Sequence, residues 1–134
     1  MYFKNLVLPG LLLASLLTSQ LVQASTVRVG DFALIDHTGT HHQLSYYSDH
    51  DAVVLIAHSS ADSGDLNKAF TGTDGVATFY LNAMPSDTRQ TLAGMADPGV
   101  PVLVDEAQTV SATLGLERAG DTLVIDPENM TLLY

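Results

Sequence analysis

The sequence contains no cysteine. That absence closes every mechanism needing a thiolate, from disulfide exchange to peroxide reduction through a sulfenic acid. Cations are nearly as scarce. Five Lys and Arg stand against 15 Asp and Glu, a formal charge of −10. A chain of this sign lacks the cationic footprint that nucleic acid and anionic membrane surfaces require. Several catalytic signatures are missing as well. There is no Gly-x-Ser-x-Gly elbow for a serine hydrolase, no glycine-rich phosphate loop and no internal repeat.

What is present begins with a targeting pattern. Met1–Asn5 carries one positive charge, at Lys4, and an apolar run follows from Leu6 to Leu17. Val22 and Ala24 then sit at −3 and −1 of a cleavage before Ser25. A basic start, a short apolar core and a small-x-small site describe a secretory signal peptide over residues 1–24. The alternative, an uncleaved anchor, fits less well, because the run falls short of the ~20 apolar residues that span a bilayer. The expectation is a periplasmic or secreted domain over 25–134, with no membrane attachment after cleavage. Its remaining cations are Arg28, Lys68, Arg89 and Arg118. Such a domain, exported yet free of disulfides, depends on packing alone for stability.

Along the mature chain, strand-like and helix-like segments alternate. Phe32–Asp36 and His41–Leu44 flank Thr38-Gly-Thr40 and read as a hairpin. Ala52–His58 is continuously apolar and rich in β-branched residues, as in a strand buried on both faces. Ser59–Gly64 is a small-residue loop before a short helix over Asp65–Phe70, and Val76–Asn82 is a second strand. Ser86 or Asp87 is placed to cap a helix running to about Ala96. Val102–Val104 reads as a short strand and Ala107–Leu114 as a helix stopped by Gly115. Thr122–Ile125 and Thr131–Tyr134 flank Asp126-Pro-Glu-Asn129 as a second hairpin. Strands separated by helices require crossovers, so the sheet is predicted to be partly parallel within an α/β architecture.

Particular words occupy particular places in this order. They are Val29-Gly-Asp-Phe-Ala-Leu-Ile-Asp-His-Thr-Gly39, Leu44-Ser-Tyr-Tyr47, Val53–His58, Phe79-Tyr-Leu-Asn82, Pro101-Val-Leu-Val-Asp105, Leu114-Gly115 and Val124-Ile-Asp-Pro127. Together they resemble the thioredoxin-like redoxin family, in the branch of thiol-specific antioxidants and alkyl hydroperoxide reductases. The resemblance spans nearly all of 29–134. It implies a thioredoxin-like three-layer fold with a central mixed sheet and an N-terminal hairpin.

Departures from the family pattern bear on function. In the family, the loop after the first core strand carries a reactive cysteine at the head of the next helix. Carried over, that position falls at or near Asp62 and Ser63, within His58-Ser-Ser-Ala-Asp-Ser-Gly-Asp65. A carboxylate there neither forms a sulfenic acid nor exchanges disulfides, though Asp is a good helix N-cap. The proline that often precedes the family's later strand, commonly cis, is absent, and Arg118-Ala-Gly-Asp121 stands in its place. Relatives usually continue beyond the equivalent of Tyr134 into a closing helix. A sheet face left less covered would favour a protein partner or self-association.

The resemblance implies a thiol antioxidant or oxidoreductase, and the missing cysteines turn the expectation to a non-catalytic binding or scaffolding domain with no cofactor. A second reading is a metal module for zinc or copper(II) built on His58 and Asp62, with Asp65 as a further donor. The alternative for His58 is a buried, hydrogen-bonded side chain. His41 and His42 are adjacent on a strand and point to opposite faces, so they do not share one metal. His37 and His41 flank one tight turn. Ser59, Ser60 and Ser63 lie too close in sequence to His58 for triad geometry. Asp49, Asp51, Asp62 and Asp65 lack calcium-loop spacing, and Met84, Met95 and Met130 are too dispersed for a copper site.

Overall fold

The computed structural model describes residues 26–62, 73–94 and 99–134. The first hairpin is Ala33–Asp36 (β1) against His41–Gln43 (β2), with Leu34 opposite His42 and Ile35 opposite His41. Gly39 turns it at φ +94°, a conformation that glycine adopts without strain. Leu44–Tyr47 then forms a single 3-10 turn whose Leu44 is buried. Ala52–His58 (β3) is the predicted central strand, buried from Val53 onward. A 3-10 turn over Ser60–Asp62 follows it, and the helix expected over Asp65–Phe70 lies outside the described residues.

Val76–Asn82 (β4) runs parallel to β3 in full register, from Ala52 opposite Val76 to His58 opposite Asn82. The next helix is shorter than the sequence suggests. It covers Arg89–Ala93 (α1), and its cap is Thr88, whose hydroxyl takes the Thr91 N–H. Asp87 does not cap it, because its carboxylate is committed elsewhere. Val102–Val104 (β5) is parallel to β4 and antiparallel to β1. Thr109–Leu114 (α2) begins two residues later than expected. Gln108 enters it in the left-handed region with no side-chain cap, and Asp105 takes the Ser111 N–H at 2.7 Å. Gly115 ends it at φ +72°, as its position predicts. Thr122–Asp126 (β6) and Thr131–Leu132 (β7) form the closing hairpin, with the Asp126 carboxylate accepting the Glu128 and Asn129 N–H groups in its turn.

The seven strands form one mixed sheet in the order β2-β1-β5-β4-β3-β6-β7. Alternation sorts its side chains onto two faces. Val53, Leu55, Phe79, Leu81, Leu103 and Ile125 pack on one face, with α2 supplying Val110 and Leu114. Val54, Ile56, Tyr80, Val102 and Val104 pack on the other against Leu92 of α1. Helices on both faces of a mixed sheet give three layers, the architecture that the element order predicts. Residues 27–29 complete the β7 edge, since Val29 N–H donates to Met130 O and Leu132 N–H to Val27 O. Among the described residues, no helix is long and apolar enough to cross a membrane.

Candidate functional site

β3 and β4 have equal length and parallel register, so their last residues, His58 and Asn82, end side by side. Both fall on the α1 face, and both are buried, at 5% and 1% exposure. A buried polar side chain must be satisfied internally, and here a connected network does so. Asn82 Nδ2 lies 3.2 Å from His58 Nδ1 and donates to Asp87 Oδ2 at 2.8 Å. Asn82 Oδ1 accepts the Met84 N–H at 3.0 Å, which fixes the orientation of the amide. Ser60 donates its N–H to Asp87 Oδ2 at 2.9 Å and its hydroxyl to Oδ1 at 2.7 Å.

Asp87 is thus a buried carboxylate that forms no ion pair with a Lys or Arg among the described residues. Burial pushes its carboxyl upward, but the hydrogen bonds from Asn82 and Ser60 outweigh that push and hold it below the ordinary range. The network clamps the first turn after β3 to the segment after β4. The His58 ring also packs against Tyr80, centroids 5.3 Å apart.

Beside the network, toward the α2 face, lies a cleft of about 470 Å³. Buried Leu81 and Leu116 contribute to its lining, as do the small residues Ala83 and Ala112, with Gln108 and Arg118 polar members. The Gln108 amide donates to Ala83 O at 2.6 Å, tying α2 to the end of β4. The loop where relatives place a proline is closed onto the strand: Ala57 N–H donates to Asp121 O, and Gly120 N–H to Ala57 O.

Of the residues singled out from sequence, His58 is at the centre of this site. Asp62 ends the 3-10 turn after β3, and its side chain, like Ser63 and Asp65, lies outside the described residues. Among the described residues no group of three His, Asp or Glu side chains is placed to hold a metal ion. His37 and His41 do not form a pair. The His37 Nδ1 takes the Val102 N–H at 3.2 Å, and the His41 ring rests against Tyr46. Asn82 and Asp87 were missed by sequence reasoning. The available signal was that two seven-residue strands end together in polar residues, His58 and Asn82, with an acid shortly after the second.

A second, part-buried network around the buried Asp36 was also missed. The Asp36 carboxylate accepts from Thr38, from the Thr40 N–H and from His42 Nε2 at 2.7 Å, while His42 Nδ1 lies 2.6 Å from the Tyr47 hydroxyl. Burial acts to raise Asp36, but the hydrogen bonds from Thr38, His42 and Thr40 prevail and bring its pKa from 3.8 down to about 2. With Nε2–H donating to Asp36 and the phenol donating to Nδ1, neutral His42 is satisfied at both nitrogens. Phe79 packs edge-on against both rings, centroids 5.2 and 5.1 Å away. This network locks the first hairpin to the core.

No protein-family model matches the chain, and no curated protein matches it. Solved structures do. An exposed lipoprotein thioredoxin from Streptococcus pneumoniae superposes with a TM-score of 0.60 at 20% identity, over 78% of this chain and 87% of that one. A putative thiol:disulfide interchange protein, DsbE, from Chlorobium tepidum gives 0.59 at 20% identity, over 81% and 82%. The peroxidoxin BcpB from Mycobacterium tuberculosis gives 0.56 at 22% identity, over 79% and 80%. Identities at this level establish architecture and leave activity to be argued from the site. The chain has a thioredoxin-like α/β fold and contains no cysteine.

Proposed function

We propose that this chain is an exported, non-catalytic thioredoxin-like domain, periplasmic or secreted, that acts by binding a protein partner or a second copy of itself. The observation that carries the reading is the combination of a cysteine-free sequence with the His58–Asn82–Asp87–Ser60 network at the ends of β3 and β4. The residues present there satisfy one another and brace a loop, and none is a thiol. What persists beside them is the cleft, with an apolar floor, small walls and a polar rim suited to an extended segment of polypeptide. The leader-like sequence of residues 1–24 supports export. So does the likeness to an exposed lipoprotein thioredoxin, which is a statement about that protein's location.

The reading is tested on the mature chain by two measurements. Dithiol-dependent disulfide reduction and peroxide consumption should stay at the rate of a boiled control, and clear turnover would overturn the non-catalytic assignment. A photo-crosslinker at Ala112, in the cleft wall, should capture a discrete partner or a second copy, and Ala112→Arg should abolish that capture. Equal capture by the Ala112→Arg variant would move binding away from the cleft. Stoichiometric uptake of zinc or copper(II), lost in His58→Ala, would replace binding with the metal module built on His58 and Asp62.

A further inference from the structure

We infer that the groove between the β1–β2 turn and α1 binds a carboxylate carrying an apolar body, held by the Arg89 guanidinium and the His37 ring. This groove is separate from the cleft beside α2 and does not depend on the function proposed for it. Its cavity measures about 830 Å³ and is lined by Asp36, His37, Thr38, Arg89, Val100 and Pro101 among others. That volume is within the ~300–1,000 Å³ range of small-molecule sites.

Two donors line this groove, and the His37 ring is held in place. The His37 Nδ1 accepts the Val102 N–H at 3.2 Å, while His37 N–H donates to Val102 O at 2.9 Å. A nitrogen that accepts carries no proton, so the proton of the neutral ring sits on Nε2, leaving an N–H donor on a groove-lining side chain. Arg89 lies across the hairpin turn: its Nη1 is 2.9 Å from where a Cβ on Gly39 would stand. Glycine at 39 therefore serves the turn and also leaves room for the guanidinium.

Arg89 has no ion-pair partner among the described residues, although acids outnumber cations 15 to 5 in the chain. Two nearby carboxylates among the described residues are engaged elsewhere. Asp36 accepts from Thr38, Thr40 and His42, and Glu106 takes the backbone N–H of Arg89 at 3.4 Å, not its guanidinium. The planar fork of an arginine matches a carboxylate in two parallel hydrogen bonds. Val100, Pro101 and Ala93, lining the same groove, offer contact to a hydrocarbon body.

The test is a titration of the isotope-labelled mature chain with sodium hexanoate, followed by amide and imidazole resonances, with hexanol and inorganic phosphate in parallel. Saturable shifts are expected at His37, Thr38 and Val102. Arg89→Gln should weaken binding about tenfold or more, and Arg89→Lys by less, with both variants melting as the parent does. Hexanol shifting the same residues with equal affinity would overturn the proposal, since the hydrocarbon alone would then carry it. Phosphate binding as tightly as hexanoate would overturn the carboxylate assignment. Binding by Arg89→Gln at parental strength, or no saturation by hexanoate in cooperatively folded protein, would overturn the site itself.

Discussion

Asn82 hands its Nδ2–H to Asp87 at 2.8 Å across a turn that also brings in Ser60, so one carboxylate joins the ends of two parallel strands to the loop that follows the first. Removing it takes the acceptor from the buried Asn82 Nδ2–H and from the N–H and hydroxyl of the exposed Ser60. Asp87→Ala is expected to cost about 3 kcal/mol in chemical denaturation, the scale of losing hydrogen bonds to a buried charge. Adding Ser60→Ala should then cost little more, because the two residues act as a unit. Full additivity in the double-mutant cycle would show that they do not.

Asp36 sets an acid limit. Its pKa falls from 3.8 to about 2 on folding, so between these values the unfolded chain binds the proton more readily. The stabilisation is complete above about pH 4 and disappears as the pH drops toward 2, and it amounts to about 2 kcal/mol. Acid unfolding followed by circular dichroism should show a stability loss in that window which Asp36→Asn lacks. An identical acid profile in the variant would contradict this assignment.

The start of β4 is held by a turn that admits no side chain. Gly75 stands at φ +79°, and a Cβ there would collide with the Asp51 carboxylate, while Asp51 N–H donates to Gly75 O at 2.8 Å. Gly75→Ala is expected to destabilise by about 1–2 kcal/mol. Asp51→Ala in the same chain should recover the steric part and leave the backbone part. Thermal melts of the two single variants and the double variant separate these contributions.

Leu92 is the buried residue of α1, with 1% exposure. A five-residue helix is too short to persist by itself, so this side chain anchors it to Val54, Ile56 and Tyr80. Leu92→Ala should cost about 2–5 kcal/mol and raise amide exchange throughout 89–93 ahead of the strands. Uniform protection across α1 and β4 in the variant would show that other contacts hold the helix.

How far the sequence discloses this molecule differs by region. β3 and β4 are readable because seven residues of near-continuous apolar or β-branched character admit one interpretation, and Gly115 marks the end of α2 through a backbone conformation that few residues adopt. The helix starts are less readable. Asp87 and Ala107 look like the beginnings of helices, yet Thr88 and Asp105 supply the hydrogen bonds, and only the fold decides which nearby acceptor wins. The site is less readable still. His58 stands out as a polar end to an apolar strand, but its neighbours depend on the register of β3 against β4, which local sequence does not contain. His42 illustrates the same limit. It is one of two adjacent histidines with equal claims to solvent, and the pleat sends it into the core beside Asp36 and Tyr47 while His41 stays outside.

The pairing of residues 27–29 with 130–132 places the two ends of the described chain in one ladder. Such a pairing cannot form on a nascent chain until residues 130–132 have been synthesised. The β6–β7 edge is therefore the final part of the sheet to be sealed, and the long loop closed by that step makes it an entropically slow one. A chain with this connectivity keeps that edge of its sheet open until residues 130–132 have joined residues 27–29.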